Sequence, residues 1–340
     1  MTRLRVLALA HKELVPPENV AGHDIASADW KTEFDVISAL REMGHDTRVL
    51  GVADDLGVIR QATSEWKPHI VFNLLEVFHN VGVFDQNVVS YLELLRLPYT
   101  GCNPRGLMLA RDKGLSKELL SYHRIPVPDF VAFPRGRKVK RPKGLAFPLI
   151  VKSLTQEASI GIAQASVVED DQKLCDRVDF IHQSIGTDAI VESYIDGREL
   201  YVGVIGNQRL AVLPIWELLF TNLPEDARPI ATERVKWSLK YQEKCGIVSG
   251  EAKDLSPETA DQIRHICKRV YRVLQLSGYA RIDLRMDAAG KIYVLEANPN
   301  PQLAKDEDFA ESAKSVGVSY HKLLQRIINL GLSWRPERPG

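Results

Sequence analysis

The first hundred residues alternate between short apolar runs of strand length and segments whose apolar residues recur at helical spacing. The apolar runs are Leu4–Ala10, Asp46–Leu50, Ile70–Leu75 and Leu97–Gly101. The helical segments between them are residues 30–44, 55–66 and 84–95. Regular strand–helix alternation of this kind produces a parallel sheet with helices on both faces. We therefore predict an α/β chain that begins with a parallel-sheet domain over residues 1–105.

The remainder of the chain has an α+β character, with strands that follow one another closely. We predict a small central α+β subdomain over residues 106–188 and an antiparallel-sheet subdomain over residues 189–335. Within the latter, residues 221–254 form a polar stretch without clear periodicity. Loops of this length are uncommon in compact domains and often cover active sites. We therefore predict a lid at this position.

Composition and charge exclude several classes of protein. Lys and Arg together number 44, as do Asp and Glu, so no positive excess predicts binding to nucleic acid. No apolar run approaches the roughly 18 residues of a membrane span, and the apolar part of the N-terminus is too short for a signal peptide. The four cysteines have neither paired nor zinc-binding spacing. We expect a soluble cytoplasmic protein without a membrane or nucleic-acid partner.

A predicted β-hairpin near the C-terminus carries four polar side chains at strand spacing. Arg281 and Asp283 lie on its first strand, and Glu296 and Asn298 lie on its second. Because alternate side chains of a strand share a face, pairing the strands collects three oxygen ligands and one guanidinium on one surface. Oxygen ligands completed by substrate phosphate usually hold Mg²⁺. The alternative is a solvated face, against which the apolar neighbours on both strands argue.

Two further segments are candidates for nucleotide contacts. Lys152 lies in the apolar strand 148–153, and the small-residue turn after it has backbone N–H groups that can approach phosphate. The alternative for Lys152 is a side chain that extends to the surface. Farther along, a strand containing Glu192 ends at an Asp-Gly turn, and the next strand begins with Glu199. Such a hinge can offer backbone groups to adenine and a carboxylate to ribose, although Asp-Gly turns are common.

In this order the segments resemble the ATP-grasp superfamily, and within it the D-alanine–D-alanine ligases. The resemblance extends from about Leu97 to the C-terminus and is weak before it. The matching stretches are Leu97-Pro-Tyr-Thr-Gly, Arg111-Asp-Lys-Gly-Leu-Ser-Lys, Pro148-Leu-Ile-Val-Lys, Val191-Glu-Ser-Tyr-Ile-Asp-Gly-Arg-Glu-Leu, Ala280-Arg-Ile-Asp and Leu295-Glu-Ala-Asn. The resemblance implies an ATP-grasp fold with a Rossmann-like N-terminal domain, a small central α+β subdomain and a C-terminal antiparallel-sheet subdomain.

The resemblance also implies a role for individual residues. Lys113 and Lys152 are implied to contact the phosphates of ATP. Glu192 and the backbone of Ile195 are implied to contact the adenine, and Glu199 the ribose. The residues implied to hold two Mg²⁺ ions, for which Mn²⁺ can substitute, are Asp283, Glu296 and Asn298. The residues with implied catalytic roles are Arg281 at the acyl phosphate, Lys236 at the γ-phosphate and Ser159 in the phosphate loop.

The activity implied by the resemblance is the joining of a carboxylate to an amine through an acyl phosphate. Several segments depart from the ligase pattern. The phosphate loop keeps only the second serine of a pair, and Pro299–Phe309 is acidic. In the first domain, residues 11–29 have no clear counterpart of the family's early substrate-binding element, and residues 73–80 lack its glycine-rich turn. We therefore expect an amino acid or short peptide as substrate and leave D-alanine open. The alternatives are an authentic D-alanine–D-alanine ligase of peptidoglycan precursor synthesis, an ATP-grasp kinase, and a non-catalytic nucleotide-binding protein. Analogy with the family also allows a homodimer.

Overall fold

The N-terminal part of the chain forms the expected parallel sheet. The computed structural model describes residues 3–225 and 227–336, except for the side chains of Trp237 and Leu239. The strands of the first sheet are β1 (Arg5–His11), β2 (Asp46–Val52) and β3 (Ile70–Asn73), in the order β2-β1-β3. The helices of this part are α1 (Lys31–Glu42), α2 (Gly57–Trp66) and α3 (Asp85–Leu94). Residues 97–101 contribute a single parallel bridge between Val71 and Tyr99 rather than a fourth strand.

A four-stranded antiparallel sheet follows two connecting helices. The helices are α4 (Pro104–Arg111) and α5 (Lys113–Tyr122). The strands are β4 (Phe130–Phe133), β5 (Leu149–Ser153), β6 (Val167–Val168) and β7 (Ala189–Ser193), in the order β4-β7-β5-β6. Helix α6 (Asp171–Phe180) packs on this sheet. Because β7 pairs with both β4 and β5, the central sheet extends past the predicted boundary at residue 188.

The third sheet is antiparallel and contains the predicted hairpin. Its strands are β8 (Arg198–Ile205), β9 (Ala211–Phe220), β10 (Ile247–Glu251), β11 (Tyr279–Met286) and β12 (Ile292–Pro299), in the order β10-β9-β8-β11-β12. The helices of this part are α7 (Glu233–Trp237), α8 (Leu239–Cys245), α9 (Pro257–Val273), α10 (Asp308–Ser315) and α11 (Tyr320–Ser333). The predicted polar stretch 221–254 is therefore not a loop throughout, since it contains α7, α8 and the edge strand β10.

Two hydrophobic clusters join the first and third sheets. Ile263 and Val270 of α9 are buried against the third sheet, in a core that continues to Leu7 and Val71 of the first sheet. Helix α11 packs its buried face against the other side of the first sheet, in a cluster with β1 and β3. The approach is close, because a Cβ added at Gly331 would lie 2.2 Å from the carbonyl oxygen of Tyr99. The C-terminal helix thus covers one face of the N-terminal sheet.

Candidate active site

The hairpin brings its four polar residues into direct register. Arg281 of β11 pairs with Asn298 of β12, and Asp283 pairs with Glu296. A bulge follows Asp283, so the register shifts before Leu284. The apolar residues that alternate with these side chains are fully buried on the opposite face of β11. The alternation of apolar and polar residues therefore fixes which face of the hairpin carries the polar cluster.

Asp283 is the centre of this polar cluster and is only 4% exposed. Its carboxylate accepts two hydrogen bonds from Arg281, from Nε at 2.7 Å and from Nη2 at 2.9 Å. It also accepts one from Nδ2 of Asn298 at 2.9 Å. A bidentate arginine gives the buried carboxylate the partner that it requires. A divalent cation that binds Asp283 would compete with Arg281 for the same oxygens.

The cluster nonetheless has the donor chemistry that Mg²⁺ requires. Among the described residues, no group of three or more His, Cys, Asp or Glu side chains is arranged to hold a metal ion. The hairpin instead combines two carboxylates, Asp283 and Glu296, with the amide of Asn298, whose Nδ2 also lies 3.5 Å from Oε1 of Glu296. Oxygen donors of these types, with the shell completed by water and phosphate, suit Mg²⁺. The residues present therefore fit the ion.

Lysines surround Glu296 on the other side of the cluster. Nζ of Lys113 lies 3.6 Å from Oε2 of Glu296 and donates to the carbonyl oxygen of Gln156 at 2.6 Å. Burial alone would raise the pKa of Glu296, but the charges of Lys113, Lys236 and Lys152 lower it to about 2. Glu296 is therefore a carboxylate at neutral pH, and the cations around it form a region that favours anionic groups.

A buried ionic network lies under the lysines. Nζ of Lys152 is 3.1 Å from Oε2 of Glu192, and Nζ of Lys117 is 3.4 Å from Oε1 of the same carboxylate. Lys117 is 1% exposed and also donates to the carbonyl oxygen of Leu295 at 2.6 Å. Burial tends to raise the pKa of Glu192, yet the two lysines lower it. One carboxylate thus holds Lys152 in place while Lys117 fixes that carboxylate to β12.

Sequence reasoning missed Lys117, although a signal was present. Lys113 and Lys117 are four residues apart on α5, a spacing that puts two side chains on the same face of a helix. The phosphate contact of Lys113 is implied by the resemblance alone. The helical spacing could have placed Lys117 next to it.

Arg285 was also missed, and it occupies the predicted adenosine end of the site. Its Nη2 lies 2.7 Å from Oε2 of Glu199, whose other oxygen accepts a hydrogen bond from the Tyr201 hydroxyl at 2.8 Å. Its Nη1 donates to the carbonyl oxygen of Ile195 at 2.7 Å, and Nη2 also donates to that of Pro229. Because Arg281, Asp283 and Arg285 alternate along β11, the strand period could have placed Arg285 on the same face.

The predicted phosphate loop, which connects β5 to β6 and carries Ser159, lines the same site. Ala158 and Ser159 have left-handed backbones, with φ of 56° and 60°, which makes a tight turn between β5 and β6. The loop contacts the predicted lid, since the N–H of Gly161 donates to Glu233 at 3.1 Å. The N–H of Glu233 in turn donates to the carbonyl oxygen of Ile162 at 3.0 Å. Helix α7, which carries Lys236, is thereby held over the loop.

Most of the predicted residues line one pocket. The predicted residues among those that line it are Lys113, Lys152, Ser159, Glu192, Ile195, Glu199, Lys236, Asp283 and Glu296. Arg281 and Asn298 lie just outside this lining and join it through their hydrogen bonds to Asp283. The structure therefore brings together residues that the sequence spreads over α5, β5, β7, β8, α7 and the hairpin.

Comparisons with known proteins identify the family of the chain. The family described as "D-ala D-ala ligase C-terminus" matches residues 119–329. An uncharacterized protein of Sinorhizobium fredii is 32% identical over 87% of this chain and 85% of its own length. The D-alanine–D-alanine ligase of Desulforudis audaxviator is 30% identical over 72% of this chain and 76% of its own length.

Solved structures show the same fold. The D-alanine–D-alanine ligase of Bacillus anthracis complexed with ATP is 22% identical, with a TM-score of 0.74 and coverage of 97% of both chains. None of the helices among the described residues combines the length and apolar character needed to cross a membrane. The sequence predictions of fold class and enzyme class are confirmed. The chain belongs to the D-alanine–D-alanine ligase family and is an ATP-dependent carboxylate–amine ligase with the ATP-grasp fold.

Proposed function

We propose that this ligase joins two amino acids, or an amino acid and a short peptide, through an acyl-phosphate intermediate. The observation that carries the proposal is the group of cations, Lys113, Lys152, Lys236 and Arg281, around the two carboxylates of the hairpin. A carboxylate oxygen of the first substrate attacks the γ-phosphorus of ATP, and the bond to the ADP oxygen breaks. The amine nitrogen of the second substrate then attacks the acyl carbon, phosphate leaves, and the nitrogen loses a proton.

The proposed roles of the cations follow from the charge that moves in the first step. Phosphoryl transfer needs positioning and charge neutralisation rather than covalent participation by the protein. Lys113 and Lys152 are held by Glu296 and Glu192, so their ammonium groups are positioned before ATP binds. Lys236 lies on α7, near enough for its charge to act on both Glu296 and Asp283. We assign these three lysines to the phosphates of ATP.

The proposed metal ligands are Asp283, Glu296 and Asn298. Mg²⁺ at these residues would neutralise charge on the phosphates. We propose that these oxygen donors bind two ions and that Mn²⁺ can replace Mg²⁺. Arg281, which now holds both oxygens of Asp283, is the residue that a bound cation would free. We propose that Arg281 then steadies the acyl phosphate.

The adenosine end of the proposed site uses Glu192, the backbone of Ile195, and Glu199. Glu199 already accepts hydrogen bonds from Arg285 and Tyr201. We propose that its remaining acceptor capacity serves the ribose hydroxyls, with Arg285 fixing the orientation of the carboxylate. Arg285 also holds the carbonyl oxygens of Ile195 and Pro229, so it ties the hinge to the segment that leads into α7.

We propose that residues 221–254 act as a lid that excludes water. An acyl phosphate hydrolyses readily, so a closed site favours aminolysis. The contacts between Glu233 and the phosphate loop support this role, as does the placement of Ser159 in the same loop. The domain limit at residue 105 and a homodimeric assembly remain part of this proposal.

The experiment that tests the proposal is an ADP-release assay over pairs of amino acids and dipeptides. We expect ADP release to require both a carboxylate and an amine and to yield one phosphate per ADP. ADP release with a phosphorylated hydroxyl product would favour the kinase alternative. A preference for D-alanine in both positions would identify an authentic D-alanine–D-alanine ligase. ATP binding without turnover over the whole panel would contradict the ligase proposal.

A further inference from the structure

Arg177, in the last turn of α6, is a half-buried arginine without a carboxylate partner among the described residues. Its Nε atom is inaccessible to solvent and has no hydrogen-bond partner in that part of the chain. Burial lowers the pKa of Arg177, and no nearby negative charge offsets this effect. Because a buried charge without a counter-ion costs free energy, its presence calls for an explanation in the contacts that the side chain makes.

The hydrogen bonds of Arg177 go to the phosphate loop between β5 and β6. Its Nη2 donates to the carbonyl oxygen of Gly161 and, at 2.8 Å, to the hydroxyl oxygen of Ser166. The same hydroxyl oxygen accepts a hydrogen bond from the N–H of Ala163 at 3.0 Å, and Ser166 is completely buried. The guanidinium carbon lies 4.3 Å from the centre of the Phe180 ring, a contact that orients the guanidinium plane. Arg177 therefore attaches both ends of the segment 161–166 to α6.

Gly161 joins this attachment to the lid. Its N–H donates to Glu233 of α7 at 3.1 Å, while its carbonyl oxygen accepts from Arg177 of α6. Its backbone is left-handed, with φ of 72°, a conformation that favours glycine. A Cβ at this position would lie 2.9 Å from Cδ1 of Ile185, so the space is also closed to a side chain. One residue of the loop is thus held by the lid on its N–H side and by α6 on its carbonyl side.

A second contact joins the start of the lid to the same segment. Gln164 and Arg228 bond to each other reciprocally. The N–H of Arg228 donates to Oε1 of Gln164 at 2.9 Å, and Nε2 of Gln164 donates to the carbonyl oxygen of Arg228 at 3.0 Å. Gln164 lies two residues before Ser166, the other partner of Arg177. Both points where the lid meets the loop are therefore close in sequence to a point where Arg177 holds the loop.

We propose that Arg177 is a positioning residue, which keeps the phosphate loop in the shape onto which the lid docks by holding the carbonyl oxygen of Gly161. This inference rests on the proposed function and assigns a residue to the exclusion of water from its acyl phosphate. Arg177 contacts neither substrate nor nucleotide and acts through Gly161 and Ser166. The attachment requires donors on the guanidinium and leaves no place for a carboxylate, which explains the absence of a counter-ion.

The acyl phosphate can react with either of two nucleophiles. With the lid docked, the amine attacks the acyl carbon and the amide forms. With the loop displaced, the oxygen of a water molecule attacks the same carbon, phosphate leaves, and the starting carboxylate and a proton are released. ADP then forms without amide. The ratio of ADP to amide therefore reports the docking of the lid, and a loss of folded protein does not change it, because unfolded molecules form neither product.

The test measures ADP and amide together, with a pair of substrates that supports turnover in the ADP-release assay. The wild-type protein should form about one amide for each ADP. Arg177→Met should raise the ratio of ADP to amide at least about 3-fold and slow amide formation about 10-fold, since charge-assisted hydrogen bonds to the loop are lost. Arg177→Lys keeps the charge and a donor group and should reverse part of both effects. Lys173→Met, with a side chain 61% exposed on the same helix, is the control and should match the wild type.

The other partner of Gly161 provides an independent variant. Glu233→Ala removes the lid side of the connection and should also raise the ratio of ADP to amide. In the double variant Arg177→Met/Glu233→Ala, the ratio should rise by less than the product of the two single effects, because both changes act through Gly161. Glu258→Ala is the matched control, since Glu258 is exposed and lies in the first turn of α9 as Glu233 does in that of α7.

The outcomes separate this inference from the proposal on which it rests. An equal loss of ADP and amide in Arg177→Met, with an unchanged ratio, would make Arg177 a purely structural residue and overturn the inference while leaving the ligase proposal intact. If Arg177→Met does not fold, Arg177→Lys and Glu233→Ala decide, and an unchanged ratio in both would overturn the inference. Absence of ADP release by the wild-type protein with every acid would overturn the ligase proposal itself.

Discussion

Replacing Glu33 with glutamine should stabilise the substrate-free protein at alkaline pH and should have little effect at acid pH. The pKa of Glu33 is about 7 in the folded protein against 4.5 for an ordinary glutamate. Between these values the folded state binds the proton that the unfolded chain has released. The wild-type protein therefore loses stability as pH rises from about 4.5 to about 7. Glutamine has nearly the same shape but does not ionise, so the stability of the variant should not fall over this pH range.

The pKa difference sets the size of the effect. The shift from 4.5 to about 7 is about 2.5 units, and at about 1.36 kcal/mol per unit this corresponds to about 3 kcal/mol of unfolding free energy. Glu33 is almost fully buried, so solvent screening reduces this figure little. The full difference should be present at pH 8.5 and should vanish well below pH 4.5, where the side chain is neutral in both states.

Urea unfolding of the wild-type protein and of Glu33→Gln at pH 5 and pH 8.5 measures the difference. Glu118→Gln serves as the control, because this exposed residue of α5 should shift stability by no more than a few tenths of a kcal/mol at either pH. Equal destabilisation of Glu33→Gln at both pH values would refute the reasoning, since it would mean that the Glu33 carboxylate has a partner and is not strained by burial.

Three further variants test the nucleotide site. Asp283→Asn should lower turnover at least about 100-fold with the fold intact, because it removes charge that meets the transferred phosphate; near-normal kcat would contradict the metal assignment. Lys152→Met should weaken ATP binding about 10-fold or more by calorimetry, and unchanged affinity would make Lys152 a structural partner of Glu192 only. Lys117→Met should lower the free energy of unfolding, measured in urea, by about 3 kcal/mol, because it leaves the buried carboxylate of Glu192 without one of its two cations. Lys322→Met, at an exposed position of α11, should leave the free energy of unfolding almost unchanged. Equal losses of stability in Lys117→Met and Lys322→Met would refute the role of burial.

The hairpin was predictable from sequence because its information is local. Strand alternation places Arg281 with Asp283 and Glu296 with Asn298, and the turn at Gly290 limits how the strands can pair. The observed register joins Asp283 to Glu296 and Arg281 to Asn298. The strand–helix alternation of the first hundred residues was informative for the same reason.

The contacts across the site were not predictable in this way. The period of β11 places Arg285 on the polar face, but nothing local indicates that it reaches Glu199 on β8 and the carbonyl oxygen of Pro229. Lys117 is similar, because its partners Glu192 and Leu295 lie far along the chain. Such pairings depend on how the sheets pack, which a single sequence does not specify.

The polar segment before α9 shows a different limit. Residues 221–254 have no clear hydrophobic period, yet they form α7, α8 and β10. Short helices are weakly determined by their own sequence and depend on tertiary contacts. Here Thr232 caps α7 through the N–H of Val235, and Ser238 caps α8 through that of Tyr241. These capping residues were the available signal, and a search for apolar periodicity does not detect them.

The position of α11 has a consequence for the order in which the chain can fold. During synthesis the three strands of the first sheet emerge early, but the helix that covers one face of that sheet emerges more than two hundred residues later. Until then, Val6, Ile70 and Phe72 lack their buried partners Ile327 and Ile328. The first sheet is thus completed only after the ATP-grasp portion has been made. A fragment of residues 1–105 should be unstable on its own, and chaperone binding to the nascent chain should persist until α11 has left the ribosome.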